Sequence, residues 1–337
     1  MKWIYDLSHD ELQKDINKIG LKKFVSRQLL NWLLQKNIRD SSKWVNISKK
    51  NRDLVLKNFN TELNDIVKKE EDTSGTKKFL IELKDGYRIE SVLIREKNHY
   101  TFCISSQVGC ALGCRFCATG KMGLKRNLSQ GEILSQILLL KEEISGYKGK
   151  LNLVFMGMGE PLVNYENLKK ALLMITDPFG MEISPRNITI STSGIIKNLA
   201  LLEEDFPNVK ISISLNGPDD RIREDLMPVS KKEKLGDLIT YLKSRKRKHR
   251  ITFEYVLIKN INDSPEEGRK IVKLLRGIPC KINIIPYNES KLIEFETPPE
   301  KKVDEFAEFL ASKGYTVMVR WSKGKDIKSA CGQLAGE

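Results

Sequence analysis

Residues 100–117 read Tyr100-Thr-Phe-Cys-Ile-Ser-Ser-Gln-Val-Gly-Cys110-Ala-Leu-Gly-Cys114-Arg-Phe-Cys117, a strand pattern followed directly by three cysteines. Three thiolates this close together can share one metal centre. A [4Fe–4S] cluster held by three cysteines leaves one iron open for a substrate or cofactor. A structural zinc ion usually takes four ligands. Zinc would therefore need a fourth ligand from the remaining cysteines, Cys103, Cys280 or Cys331.

The chain from residue 100 onwards alternates predicted strands with predicted helices. The strands are Tyr100–Ser105, Leu151–Phe155, Asn187–Ser191, Val209–Leu215, Ile251–Ile258, Lys281–Pro286 and Thr316–Arg320. The helices are Ser129–Ile144, Tyr165–Ile175, Ile196–Glu204, Glu233–Lys246, Pro265–Leu275 and Lys301–Lys313. Such alternation predicts an α/β fold with a parallel sheet and outer helices. About six units allow a doubly wound sheet or an incomplete barrel, and both bind ligands where the strands end.

The first part of the chain has a different character. Residues 1–70 read as helical, with amphipathic stretches at Asp10–Ile19, Leu21–Gln35 and Ser48–Phe59. Residues 77–95 alternate apolar and polar side chains around an Asp-Gly turn, which predicts a β-hairpin. We therefore expect four segments: a helical accessory domain whose basic residues suit contact with nucleic acid, a hairpin linker, a barrel core and a mobile tail, at 1–70, 71–98, 99–321 and 322–337.

The charge of the chain indicates a polyanionic partner. Its 337 residues include 58 Lys and Arg against 44 Asp and Glu, a net charge of +14. Such an excess favours nucleic acid, although a solvated lysine-rich surface explains it equally well. Three histidines are too few for a histidine-based metal site. No apolar run approaches the roughly 18 residues that span a bilayer, so we expect a cytoplasmic protein without a membrane segment.

Short polar or glycine-bearing segments follow several predicted strands. Gly157-Met-Gly159-Glu160-Pro161 combines glycines, which let the backbone approach a ligand, with a carboxylate. Ser191-Thr-Ser-Gly194, Ser212-Ile-Ser214-Leu-Asn216 and Ile285-Pro-Tyr-Asn288 supply hydroxyls and amides. Taken singly, each is equally typical of turns and helix caps.

Taken together, these motifs resemble the RlmN/Cfr family of radical S-adenosylmethionine (SAM) RNA methyltransferases. The resemblance also rests on Met227-Pro, Asn262-Asp and Ala330-Cys331-Gly-Gln-Leu334, and it runs from about residue 75 to the end. Pro161 is similar to the RlmN branch, because Cfr proteins typically carry Ala there. The resemblance implies a partial (βα)6 radical SAM barrel and methylation of adenine C2.

The resemblance also implies roles for individual residues. A [4Fe–4S] cluster would bind Cys110, Cys114 and Cys117. One SAM would methylate Cys331, and a second SAM, cleaved to a radical, would activate that methyl group, so that two SAM are used per turnover. Cys103 would resolve the resulting protein–RNA adduct through a transient disulfide with Cys331, and Glu90 would accept the C2 proton. The expected SAM contacts are Gly159, Glu160, Ser191, Ser214, Leu215, Asn216 and Asn288.

The implied substrates are an adenosine of 23S rRNA, in the peptidyl transferase centre, and adenosine 37 of tRNA. We further expect an electron donor such as flavodoxin or ferredoxin, and a monomer. Lys121, Lys125, Arg126 and the basic run Lys243–Arg250 are candidate RNA contacts. Two alternatives are a Cfr-type C8 methyltransferase, which Pro161 disfavours, and a zinc-stabilised RNA-binding protein without catalysis.

Overall fold

A computed structural model describes residues 1–245, 249–290 and 293–336. Its first 60 residues contain three helices, and two short strands pair in parallel to bring the two ends of this segment together. A capping box starts the first helix, because Ser8 and Glu11 each accept a hydrogen bond from the other's backbone amide. The elements are β1 (Lys2–Trp3), α1 (His9–Lys18), α2 (Phe24–Leu30), α3 (Lys49–Asn58) and β2 (Phe59–Asn60).

An antiparallel meander of three strands follows: β3 (Asp65–Glu71), β4 (Lys77–Glu82) and β5 (Arg88–Arg95). The predicted hairpin is confirmed, whereas the prediction of helix as far as residue 70 is wrong. β3 is almost entirely charged and has no apolar alternation, so only its pairing with β4 identifies it as an edge strand. β5 pairs antiparallel with the first core strand, so the hairpin is part of the core sheet.

The core sheet contains seven parallel strands. They are β6 (His99–Cys103), β9 (Lys150–Phe155), β10 (Ile188–Thr192), β11 (Lys210–Ser214), β12 (Ile251–Leu257), β13 (Cys280–Pro286) and β14 (Thr316–Val319). They lie side by side in chain order, with the meander continuing beyond β6. A doubly wound sheet would reverse this order at a switch point. The fold is therefore the incomplete barrel of six βα units.

Helices connect successive strands, as predicted to within a few residues. They are α5 (Gln130–Glu142), α6 (Tyr165–Thr176), α7 (Ile196–Asp205), α8 (Asp220–Leu226), α9 (Leu235–Ser244), α10 (Pro265–Leu275) and α11 (Glu300–Ser312). The sequence had not indicated α8. Part of the basic run Lys243–Arg250, and the predicted end of α9 at Lys246, lie outside the described residues.

The helix α5 is buried on nearly all sides. One face packs on the sheet, and the other receives the N-terminal segment. The backbone amide of Gly131 donates to the Asp6 carboxylate at 2.8 Å, and Asn37 donates to the Leu138 carbonyl at 2.8 Å. The N-terminal segment is thus fixed to the barrel through a core helix. None of the helices in the described ranges is long and apolar enough to cross a membrane.

Candidate active site

All three clustered cysteines lie in one loop, held at its base by a small two-stranded sheet. Its strands are β7 (Gln107–Gly109) and β8 (Leu124–Asn127), and the short helix α4 (Ala118–Lys121) lies between them. Gly109 has φ +73°, and a Cβ there would lie 1.9 Å from the Gly123 carbonyl oxygen. The two strands can therefore approach at this point only because residue 109 is glycine. This sheet was not predicted, because its strands are only three and four residues long.

Cys110, Cys114 and Cys117 line one cavity of about 160 Å³. Burial raises the pKa of Cys110 to about 12 and that of Cys114 well above the ordinary value of a thiol. Buried thiols at such pKa values need a bound cation to become thiolates. A [4Fe–4S] cluster would supply that cation, with each of the three thiolates bound to a different iron.

The loop after β9 places a carboxylate in the same cavity. Gly159 adopts φ +95°, with its Cα so close to Gln107 that a Cβ would lie 2.5 Å from the Gln107 Cβ. The Gln107 Oε1 accepts the backbone amide of Glu160 at 2.8 Å. The Glu160 carboxylate accepts the Ser193 amide at 2.8 Å, and burial raises its pKa. Gly159 and Glu160 thus lie beside the clustered thiols, as the expected binding of SAM requires.

Of the remaining expected SAM contacts, three line the cavity and two do not. Ser191, Ser214 and Asn216 line the cavity, at the ends of β10 and β11. Leu215 points the other way, because its side chain is fully buried in the main hydrophobic core. Asn288 instead donates to the Cys331 carbonyl at 3.1 Å and so holds the C-terminal tail.

Three buried polar atoms here have no hydrogen-bond partner in the described structure: the Ser193 and Tyr287 hydroxyls, both on residues that line the cavity, and the Asn288 Oδ1. Buried polar atoms without a partner are costly, so they indicate a polar ligand. A bound SAM molecule has the carboxylate, amine and ribose groups to satisfy them. The residues present therefore fit both the cluster and SAM. Tyr287 belongs to the segment Ile285-Pro-Tyr-Asn288, from which no specific role was predicted for this tyrosine.

The C-terminal tail carries Cys331 into the barrel. The Gly332 carbonyl accepts the Ala118 amide at 2.7 Å, directly after the third clustered cysteine, and Leu334 accepts the Thr119 hydroxyl at 2.7 Å. Cys331 is exposed and lines the barrel interior. Desolvation by the surrounding protein, and next the Glu254 carboxylate, raise the pKa of its thiol to about 11. The structure thus shows a docked position of the tail, and its mobility stays a prediction.

Cys331 lies where two cavities meet. It lines the small cavity with the clustered thiols and also a larger one of about 1040 Å³, which is the barrel interior. Cys103, at the end of β6, lines the larger cavity. Burial, and then the neighbouring Cys331, raise the pKa of the Cys103 thiol. Both cysteines are free thiols, so the structure corresponds to the reduced form of the expected pair.

Glu90 on β5 is 1% exposed, so this carboxylate is buried. The Lys78 ammonium lies 3.0 Å from its Oε1. Its Oε2 accepts the tail amides of Ala335 at 2.7 Å and Gly336 at 3.0 Å. The docked tail therefore occupies the carboxylate that is expected to act as a base.

Comparison with known proteins first defines the class. The profile described as the Radical SAM superfamily matches residues 104–275, which include the cysteine loop and most of the barrel. A radical SAM methyltransferase from Sphaerobacter thermophilus has a similar structure, with a TM-score of 0.95 at 35% identity and full coverage of both chains. The protein is a radical SAM protein with a partial barrel.

The N-terminal segment defines the family within that class. The profile of the ribosomal RNA large subunit methyltransferase N-terminal domain matches residues 2–59. The dual-specificity RNA methyltransferases RlmN of Syntrophus aciditrophicus and Geotalea uraniireducens are each 40% identical, over 99% of this chain and 96% of theirs. The chain belongs to the RlmN family of radical SAM methyltransferases.

Proposed function

We propose that this protein methylates C2 of an adenosine in 23S rRNA and of adenosine 37 in tRNA, through a methyl group carried on Cys331. Relatives of 40% identity are named as dual-specificity RNA methyltransferases. The observation that carries the proposal is the position of Cys331, which lines the cavity of the clustered thiols and the cavity of Cys103. A methyl carrier needs access to both the SAM side and the substrate side.

Cys110, Cys114 and Cys117 would hold the [4Fe–4S] cluster, and Glu160, Ser191 and Ser214 would bind SAM. When bound, the cluster supplies the electron that cleaves SAM to a radical. Adenine C2 is electron-poor and does not attack the methyl group of SAM, which is why a radical route is needed. Two SAM molecules per turnover account for one transferred methyl group and one radical.

Cys103 would release the product. Attack of its thiolate on the Cys331 sulfur forms the disulfide and breaks the bond between sulfur and the bridging carbon. The electron pair stays on that carbon, which takes up a proton and becomes the methyl group. An external thiol must then reduce the disulfide before the next turnover. The adjacency of Cys103 and Cys331 in one cavity supports this role.

Glu90 would accept the C2 proton once the tail amides no longer bind its carboxylate. In the docked state both of its oxygens are engaged, one by Lys78 and the other by the tail amides. Glu90 lines neither cavity, so it would reach the substrate only when the tail leaves this position. Its departure frees one carboxylate oxygen at the moment when a base is required.

Nucleoside analysis of rRNA and tRNA from cells lacking this chain tests the proposal. We expect 2-methyladenosine to disappear from both RNAs and to return when the wild-type chain is supplied. Appearance of 8-methyladenosine would assign the Cfr-type specificity instead. Colourless protein with one zinc ion per chain, after anaerobic purification, would contradict the proposal and support the RNA-binding alternative.

The remaining expectations concern the setting of the reaction. An electron donor such as flavodoxin or ferredoxin, a monomeric state and a cytoplasmic location stay predictions. The division into domains also stays a prediction, although the two matched profiles cover the N-terminal segment and the barrel separately.

A further inference from the structure

The two cavities divide the barrel into two ends. The small cavity contains the clustered thiols and the SAM-binding candidates at the carboxyl ends of the strands. The large cavity runs back to the amino ends, where Lys210 and Lys281 lie at the starts of β11 and β13. The large cavity, at about 1040 Å³, has room for a whole nucleotide.

The amino end of the large cavity is strongly cationic. Seven Lys and Arg side chains line the cavity, against two carboxylates. Of these, Arg245 pairs with Glu203 and Lys323 pairs with Glu96. Within residues 1–245, 249–290 and 293–336, no carboxylate lies within ion-pairing distance of the other five. Arg320 follows the carboxyl end of β14, and the remaining four are Arg186, Lys210, Arg250 and Lys281.

These cations repel one another. Partial burial, together with the charges of Lys150 and Lys281, lowers the pKa of Lys210 below that of an ordinary lysine. Like charges held together without a carboxylate cost free energy in the empty protein. An anion bound among them would relieve this repulsion, and several anions spaced along a chain would relieve it further.

We propose that RNA binds at the amino ends of the barrel strands, opposite the cluster, and that the target adenosine enters the large cavity from there. Arg186, Lys210 and Lys281 would bind the phosphates that flank the extruded nucleotide. This inference rests on the proposed function, because it names the route of that same substrate. Barrel enzymes normally take substrate at the carboxyl face. Here the cysteine loop and the docked tail lie at that face, whereas the large cavity extends to the opposite end.

The length of the strands is consistent with this route. β6 runs from His99 to Cys103, and at about 3.3 Å per residue the opening lies roughly 13 Å from the thiol. An extruded base swings out of its stack while its phosphates stay at the protein surface. The adenine would then meet Cys331 and Cys103 from the side opposite SAM.

Lysine footprinting on the wild-type protein tests the inference. The full chain is acetylated at low salt with and without excess substrate tRNA, and each lysine is quantified by mass spectrometry. We expect RNA to reduce the labelling of Lys210 and Lys281 severalfold. Lys301, in the first turn of the outer helix α11, and Lys313, directly after that helix, should be labelled equally in both samples.

Two contrary outcomes are distinguishable. If RNA protects other lysines but leaves Lys210 and Lys281 fully reactive, RNA enters elsewhere and this inference is wrong. If neither tRNA nor a 23S rRNA fragment protects any lysine, RNA binding itself fails and the proposed function falls with it.

Charge reversal provides a second measurement. The double variant Lys210→Glu/Lys281→Glu should bind tRNA at least tenfold more weakly than Lys301→Glu/Lys313→Glu, which carries the same change in net charge. The slope of log affinity against log salt should fall by about 1.4 for two lost contacts to a single strand. Equal affinities and equal slopes in the two variants would contradict the inference.

Discussion

At the scale of single residues, the proposed chemistry depends on two thiols that occupy different positions. Cys103 is fixed at the end of a strand, whereas Cys331 lies on a tail held by backbone hydrogen bonds. Burial raises the pKa of both thiols, so neither is a free thiolate in the docked state. A buried, fixed thiol suits resolution of an adduct, and a thiol on a tail suits transport.

This difference predicts distinct behaviour for the two single variants. Cys103→Ala should accumulate a protein–RNA crosslink that survives denaturation, because no thiolate remains to attack the Cys331 sulfur. Cys331→Ala and the double variant should form no crosslink. Denaturing gels of the purified, ribonuclease-treated proteins report the shifted band. Its absence from Cys103→Ala, with normal methylation by wild type, would transfer the resolving role to another residue.

A second prediction at this scale concerns the ion pair of Lys78 and Glu90, whose carboxylate binds the tail. Lys78 is 5% exposed and lies between Glu70, at 3.1 Å, and Glu90, at 3.0 Å. Lys78→Met leaves Glu90 buried without its cation, at a cost of about 3–5 kcal/mol. We expect the Glu90 side chain to be displaced, and the tail amides to lose their acceptor.

Limited proteolysis of the tail measures this effect. In Lys78→Met the tail should be cleaved several times faster than in wild type, and Lys78→Arg should restore most of its protection. Lys77→Met is the matched control, because the neighbouring Lys77 pairs with Glu143 at 3.0 Å instead. Equal cleavage rates in Lys78→Met and Lys77→Met would show that Glu90 does not anchor the tail.

At the scale of elements, the ends of the strands position the site through close backbone contacts. The turn after β9 passes so near β7 that only glycine fits at Gly159. Glu160 is held on both sides as a result, by Gln107 and by the Ser193 amide. The orientation of this carboxylate therefore depends on a residue that carries no side chain.

Gly159→Ala should displace Glu160, because the added methyl group would lie 2.5 Å from the Gln107 Cβ at φ +95°. We expect SAM affinity to fall at least tenfold, because Glu160 loses its position. The iron and sulfide content is measured alongside, because Gln107 lies in β7, directly before the cysteine loop. Equilibrium dialysis with SAM and iron analysis measure the two quantities. Gly236→Ala in α9, with no atom within 4 Å, is the control. Unchanged SAM binding in Gly159→Ala would remove Glu160 from the SAM site.

For the whole molecule, the contact between the N-terminal segment and α5 determines how the two parts are joined. α5 is buried by the sheet on one side and by the N-terminal segment on the other. At their contact, a Cβ on Gly131 would lie 2.7 Å from the Trp3 ring and 2.8 Å from the Asp6 carboxylate. Any side chain at this position must push the two parts away from each other.

Gly131→Ala should therefore destabilise the protein by about 1–3 kcal/mol, as overpacking does elsewhere. The N-terminal segment should exchange its amide hydrogens faster, and the barrel strands should keep their protection. Hydrogen exchange with peptide-level mass spectrometry measures both. Faster exchange throughout the barrel, to the same degree, would show that the segment and the barrel unfold as one unit.

Local patterns in the sequence determined much of this protein. The alternation of strands and helices, the Asp-Gly hairpin and the three-cysteine loop all depend on neighbours within a few residues, so periodicity and spacing are sufficient to recognise them. Strand β3 was not predicted, because it is mostly charged and has no apolar alternation. The small sheet beside the cysteine loop was not predicted either, because its two strands are very short.

Tertiary structure alone decided how the site is assembled. Glu90 meets the Ala335 amide 245 positions further along the chain, and no local pattern encodes such a contact. The same holds for the order of the strands, which chose the incomplete barrel, and for the position of Cys331 between the two cavities. These features follow from the closure of long loops around a common core, whose free energy depends on all the packed elements together.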